Sequence, residues 1–524
     1  MNQTTIFDMM YPRYKITKPL RVITLFSGYD SQCLALNYLG IKYEHWRTCE
    51  WAIKSIQALK DIHFENDNTD YSQILSKDEV VDILYNLGIS SNYNEPMSKE
   101  KIAKLNEKKL RTIYNNIVAT HNLVNIQQVK GSDLEIVDTD KYDYILTYSF
   151  PCQDLSLAGK GKGMSDTSTR SGMLWEVERI LTECKELGIM PQVLLMENVP
   201  QVHSVDNMPD FHKWQVRLEE LGYKSYWQDL IATDYGIPQT RNRCFMISIL
   251  GDYSYTFPQP MPLKLKLKDM LEDNVDEKYY LSDKMISFFT RNEEKQKEKG
   301  NGFTFNVSDG NTIAKTITTR AGSRMDDNFI GNKSLKETLE NNEIKEEISY
   351  IDAYNRKVRD DNLSSTISTR VDASNNTYIA IKNATKKGYL EATDGDGVDI
   401  SSRMEYHRGN MQKDKIQTLT TKCEVGVCVG TYQYAKSDNF MQGRDRLQLG
   451  KEVSDTLQTT QKEGIVNSDL RIRKLTPREV FRLMGVKDED FDKVKKNQSD
   501  ASLYHLAGDS IVVNVLMAIF KELF

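Results

Sequence analysis

A single cysteine stands where an apolar run stops. Tyr142–Phe150 (YDYILTYSF) is rich in β-branched and aromatic side chains, the pattern of a buried strand, and Pro151 ends it directly before Cys152. Parallel-sheet enzymes keep their chemistry at the carboxyl ends of strands, so this position suits a nucleophilic thiolate. Gly159, Gly161 and Gly163 follow closely and provide a pliable cover. A second apolar run, Pro191–Pro200 (PQVLLMENVP), ends in Glu197 and Asn198, and Gln239-Thr240-Arg241-Asn242-Arg243 precedes a third, CFMISIL. Three strand ends thus present a thiol, a carboxylate and two guanidinium groups.

These side chains need a scaffold. From Arg21 to Leu250 strand and helix patterns alternate, which predicts an α/β unit with a parallel sheet covered on both faces. The first strand spans Arg21–Phe26 and enters a glycine turn, Phe26-Ser27-Gly28, before a helix from Cys33 to Leu39. The second strand ends at Thr48-Cys49-Glu50-Trp51, about twenty residues past the turn, where a carboxylate suits a pair of ribose hydroxyls. Leu174, Trp175, Val177, Ile180, Leu181, Cys184 and Leu187 keep a helical period, which puts Cys184 on a core face. Residues from about 60 to 125 interrupt the alternation with helical patterns around Val80–Leu87 and Lys101–Ile117. The lysines of this interruption either meet a polyanionic partner or form a solvated face, the simpler reading.

Taken in this order, Phe26-x-Gly28, Pro151-Cys152-Gln153, Glu197-Asn198-Val199 and Gln239-x-Arg241-x-Arg243 resemble the signatures of the DNA cytosine-C5 methyltransferase family, bacterial or phage type. Arg473–Gly485 (RKLTPREVFRLMG) is similar to its ninth motif and Gly508–Asn514 (GDSIVVN) to its tenth. The likeness covers roughly residues 21–58, 128–255 and 470–524. It implies a Rossmann-like S-adenosylmethionine-dependent methyltransferase domain with a mostly β, irregular target-recognition domain. The expected organisation is a catalytic domain over 1–262, a recognition domain over 263–494, and a C-terminal helix over 495–524 that returns to the first.

The implied reaction transfers methyl from S-adenosylmethionine to C5 of a flipped-out cytosine in duplex DNA, giving S-adenosylhomocysteine without a metal. Cys152 would attack C6, Glu197 would hydrogen-bond or protonate N3, and Asn198 would fix that carboxyl group. Arg243 would contact the base O2, and Arg241 would organise the loop or phosphate. The cofactor would meet Phe26 and Gly28 at the turn, Glu50 at the ribose, Trp51 at the adenine face and Asp133 with Leu134 at its edge. Pro151, Leu174, Asp509, Ser510 and Ile511 would close the pocket. Gln153, Gln239, Arg320, Arg370 and Lys422 are the DNA-facing candidates. Two positions depart from the family: Tyr29-Asp30-Ser31 follows Gly28 where further glycines are usual, and Asp509 replaces an asparagine.

Bulk properties bound this reading. With 524 residues the chain exceeds one compact core, and a net charge of −6 makes any DNA contact a matter of local basic clefts. The seven cysteines are scattered without Cys-x-x-Cys spacing, so neither a disulfide framework nor a zinc site is expected. No signal-like N-terminus or membrane-length run is read, and a monomeric cytoplasmic protein of a bacterium or phage-infected cell is expected. After Pro258–Pro262 the composition shifts to Asn, Asp, Gly, Ser and Thr. Four strings recur there, Thr316–Arg320, Thr366–Arg370, Thr418–Lys422 and Thr456–Thr459, as strand edges or as a DNA-facing surface. An RNA cytosine methyltransferase and an inactive DNA-binding scaffold are the competing functions. The target sequence and a cognate restriction endonuclease are not legible.

Overall fold

In a computed structural model of the chain, the described residues are 11–151, 171–300, most of 302–331, 472–524 and short strands between 350 and 464. Cys152, Gln153, Gly159–Met164, Arg370 and Lys422 lie outside them. So do the last three of the four Thr-rich strings.

Six strands form the central sheet: β1 (Leu20–Leu25), β2 (Tyr43–Cys49), β3 (Asp143–Tyr148), β4 (Val193–Asn198), β5 (Tyr223–Ile231) and β6 (Asn242–Leu250). Their order is β2-β1-β3-β4-β6-β5. The first four run parallel, whereas β6 is antiparallel to both β4 and β5, so the sheet is mixed and not wholly parallel as the alternation implied. Reversal of β6 has a functional consequence. Its beginning, not its end, lies beside the carboxyl end of β4, with Asn198 opposite Cys244 and Glu197 opposite Phe245.

The strands β1, β3 and β4 are buried along their whole length, which is why they read as continuous apolar runs. Alternate residues feed opposite cores. Leu20, Val22, Ile145 and Leu195 pack with α1 (Ser31–Tyr38) and the C-terminal helix Val513–Lys521, while Ile23, Leu25, Leu146 and Met196 pack with the helices Leu174–Leu187 and Met208–Leu221. Cys184 belongs to the second core, as its helical period requires. Truncation of a residue as enclosed as Val22 or Leu146 costs about 2–4 kcal/mol.

The insertion folds around a third core shared with α2 (Ile53–His63). It holds α3 (Lys77–Leu87), α4 (Lys99–Ala103) and α5 (Glu107–Ala119), joined by Val80, Leu84, Ile102, Leu110, Ile113 and Ile117. The single helical pattern Lys101–Ile117 is thus split, because Asn106 caps α5 by accepting from the Lys109 amide. Lys101, Lys104, Lys108 and Lys109 are exposed.

Two compact units divide the chain, residues 1–330 with 472–524, and residues 331–471. The division falls later than the change of composition after Pro262, because Leu267, Met270, Ala314 and Ile317 are core residues of the first unit. At the other end, the helix Pro477–Leu483 also belongs there, with Val480, Phe481 and Leu483 in the same core. In the second unit every described strand pairing is antiparallel. Thr316–Arg320 is not a strand; it runs from an extended segment into a turn at Thr319-Arg320. By length and composition Asp500–Lys521 could cross a membrane, contrary to the sequence reading, but it is 72% buried and breaks at Ser510–Val512 into two helices, Asp500–Asp509 and Val513–Lys521.

Candidate active site

At the carboxyl end of β4 the Glu197 carboxylate is held from two sides. Ser149, just past β3, donates to Oε2, and Arg243, on the reversed β6, places Nε 3.1 Å from Oε1. Glu197 is only 5% exposed, so the Arg243 guanidinium compensates a nearly buried charge. Asn198 does something other than the sequence suggested. Its Nδ2 donates to the Phe150 carbonyl at 3.0 Å and its Oδ1 accepts from the Val199 amide at 2.8 Å, so it fixes the chain entering Pro151 and leaves Glu197 to Ser149 and Arg243. Sequence reasoning overlooked Ser149, although its place one residue before Phe150 at a strand end was a visible signal.

Arg241 and Gln239 are structural braces. The Arg241 guanidinium is 3% exposed and donates to the carbonyls of Ile317, Gly508 and Ser510. Burial and the neighbouring Arg243 push its pKa down to about 9. It therefore organises loops, one of the two roles the family likeness gave it, and is not presented to a base. Gln239, read as a DNA contact, is fully buried, donating to the Leu483 carbonyl and accepting from the Ile317 amide. Arg320 is exposed in its turn.

A cleft opens beside Ser149 at the ends of β1 and β3, lined by Phe26, Gly28, Ser55, His505, Asp509, Ser510 and Ile511 among others. Phe26 and Gly28 both have positive φ, 57° and 56°, and the Gly28 amide donates to Glu50 Oε2 at 3.0 Å. The missing glycines are replaced by side-chain anchors. Asp30, also left-handed at 63°, caps α1 by accepting from the Cys33 amide, and Tyr29 donates to Ser510 Oγ at 2.7 Å. Asp509 stays in the cleft wall, its Oδ2 3.0 Å from His505 Nε2.

Glu50 accepts from the Gly28 and Ala52 amides, and burial pushes its pKa up to about 7. Asn122, in the segment leaving the insertion, brackets it: Oδ1 accepts from the Glu50 amide and Nδ2 donates to the Glu50 carbonyl. Asp133 and Leu134, expected at the adenine edge, lie in the short turn that leads toward β3. Asp133 closes a short turn on the Lys130 amide, and fully buried Leu134 receives the Trp46 indole, which stacks near Arg21 and Tyr144 toward the amino ends of the strands. Leu174 is likewise fully buried, and Trp51 packs on the insertion core. Pro151 is half-buried at the edge of the described residues.

The donor set suits S-adenosylmethionine: a buried carboxylate for hydroxyls, turn amides, small hydroxyls and an apolar wall at Phe26 and Ile511. Two groups of donor atoms lie within 4.8 Å of one another, Asp30 with Cys33 and His45, and His203 with Asp229 and Cys244. In the first, the carboxylate already accepts from Thr24 and from the Cys33 amide.

Comparison with known proteins places this geometry. The family described as C-5 cytosine-specific DNA methylase matches residues 85–524, a span that leaves out the glycine turn and Glu50. Type II methyltransferase M2.ScrFI of Lactococcus lactis subsp. cremoris is 36% identical over 276 residues, 51% of this chain and 72% of the relative. Orphan methyltransferase M.SssI of Spiroplasma monobiae is 36% identical over 273 residues, 51% of this chain and 68% of the relative. Among solved structures, a DNMT2 variant from Spodoptera frugiperda aligns with 96% of this chain and 99% of its own at a TM-score of 0.50 and 14% identity, a likeness of fold alone. The chain belongs to the C-5 cytosine-specific DNA methylase family, whose members take their methyl group from S-adenosylmethionine.

Proposed function

We propose that the protein methylates C5 of a cytosine flipped out of a short, specific site in double-stranded DNA, through a covalent bond between Cys152 and C6. The observation that carries this reading is the Ser149–Glu197–Arg243 group beside Pro151, since Ser149 also lines the cofactor cleft and gives the two sites a common wall.

C5 of cytosine is a weak nucleophile inside an aromatic ring. Attack of the Cys152 thiolate at C6 forms the S–C6 bond and moves electron density to C5, while Glu197, protonated when the base enters, gives that proton to N3 and becomes the carboxylate that Arg243 pairs. Arg243, 3.1 Å from Glu197, orients that carboxyl group and reaches toward the base O2. When bound, the cofactor supplies an electrophilic methyl group to C5. Loss of the C5 proton to solvent then breaks the S–C6 bond, frees the thiolate and returns the N3 proton to Glu197. No step assigns work to a metal. The 331–471 unit is the proposed reader of the DNA sequence, with its Arg370 and Lys422, and Arg320 of the first unit, as backbone contacts.

Incubation with methyl-labelled S-adenosylmethionine and either duplex DNA or RNA tests the substrate. Label recovered as 5-methyldeoxycytidine from DNA supports the proposal. Label recovered only from RNA moves the activity to the RNA reading, and no transfer by cofactor-binding protein favours an inactive scaffold.

A further inference from the structure

The insertion reaches the cofactor cleft. Ser90 bridges Ala52, taking the Trp51 carbonyl with its amide at 2.7 Å and receiving the Ile53 amide on its carbonyl at 2.9 Å. The loop after Ser90 is thereby pinned to the strand end that carries Glu50. Asn92 Oδ1 accepts from the Asn94 and Glu95 amides, and Ser90 Oγ donates to the Glu95 carbonyl, so the turn is internally fixed.

This turn holds Tyr93 at φ 62°, a left-handed conformation rare for an aromatic residue and typical of places where structure serves a site. Its ring lies 4.0 Å from that of His505, which lines the cleft and pairs with Asp509. Its hydroxyl oxygen is buried beside Ser55, another lining residue, and closes no hydrogen bond among the described residues. Burial raises the Tyr93 pKa, the neighbouring Ser55 hydroxyl offsets part of that, and the negative charges of Glu50 and Asp509 add to it. A buried hydroxyl whose one polar side-chain neighbour is the cleft residue Ser55 has hydrogen-bonding capacity to spare at the cleft edge.

We propose that Tyr93 is a cofactor-binding residue whose hydroxyl, with Glu50, receives the ribose hydroxyls of S-adenosylmethionine, and that the 60–125 insertion is part of the cofactor site. The inference rests on the reading of the cleft as the S-adenosylmethionine site. It also gives the insertion a task that does not involve its exposed lysines. Tyr93 would add a donor where Glu50, with its raised pKa, is a poor acceptor below neutrality.

Calorimetric titration with S-adenosylhomocysteine and with its 2′,3′-dideoxyribose analogue tests this on the wild type and Tyr93→Phe. The phenyl ring keeps the packing on His505, and thermal melting verifies the fold. The expected result is a roughly threefold to tenfold weaker affinity of Tyr93→Phe for S-adenosylhomocysteine, with the dideoxy analogue bound equally by both proteins. Unchanged affinity for S-adenosylhomocysteine, or equal losses for the two ligands, overturns the role of Tyr93 while leaving the cleft assignment intact. Wild-type protein that binds neither ligand overturns both.

Discussion

The two sides of the cleft are built on different plans. On the base side, Ser149, Glu197 and Arg243 sit at the adjoining ends of β3, β4 and β6, each within a short string of residues. The proposed cofactor side is composite, drawing Gly28 and Glu50 from just past β1 and β2, Asn122 and Tyr93 from the insertion, and His505 to Ile511 from the far end of the chain. Charged groups are thus concentrated where backbone pairing fixes distances, whereas the proposed cofactor cleft is walled by several loops. The same division appears within one pentapeptide, where Arg241 and Gln239 are spent on buried carbonyls and amides and Arg243 alone faces the carboxylate.

Substitutions on the base side should give the largest effects and leave cofactor affinity alone. Glu197→Gln is expected to lower kcat by about 10²–10⁴-fold with an unchanged dissociation constant for S-adenosylhomocysteine, read by labelled methyl transfer and calorimetry. A parallel loss of cofactor affinity would erase the distinction between the two sides.

The arginines sharpen it next. Arg241→Ala removes donors from three carbonyls and should cost about 3 kcal/mol in urea denaturation, while Arg243→Ala, which leaves the nearly buried Glu197 carboxylate to Ser149 alone, should cost about as much and also depress the rate at least tenfold. An Arg241→Ala variant as stable as the wild type would contradict the assignment of Arg241 as a brace.

On the cofactor side the expected signature is pH dependence. The folded pKa of Glu50, about 7, lies above its ordinary 4.5, so its stabilising contribution to the free protein is present below pH 4.5 and is lost as pH rises through 7. Affinity runs the other way, because the ionised carboxylate accepts from ribose hydroxyls. S-adenosylhomocysteine should bind about threefold to tenfold tighter at pH 8 than at pH 6, and Glu50→Gln should flatten that profile. A flat wild-type profile would remove Glu50 from the ribose contact.

The smallest effects separate the candidates for DNA contact. Gln239→Ala should cost roughly 1–3 kcal/mol in stability with no change in DNA affinity, since it strands the Ile317 amide and the Leu483 carbonyl. Arg320→Ala should leave melting unchanged and reduce the slope of log affinity against log salt by about 1.

Much of this was legible in the residues. The strands β1, β3 and β4 announced themselves as unbroken apolar runs because both faces of the sheet are covered, and the Cys, Glu and Arg strings marked their ends. What sequence could not convey was direction and register. An apolar run is the same whether parallel or antiparallel, so the reversal of β6 was invisible, although it still delivers Arg243 to the right end. Asn122, which brackets the Glu50 backbone, belonged to none of the motifs and so gave no signal. Polar residues such as Asn198, Gln239 and Arg241 looked reactive, and their actual partners are backbone groups brought together only by the fold. The composition change after Pro262 did not mark the edge of a core.

The most direct test of the central claim is bisulfite sequencing of DNA from a methylation-free host expressing this chain or its Cys152→Ala variant. Conversion-resistant cytosines at one short sequence with the wild type, and none with the variant, are the expected result. Protection that persists with Cys152→Ala would contradict the thiolate mechanism, and soluble wild-type protein that protects no cytosine would contradict the DNA methylation itself.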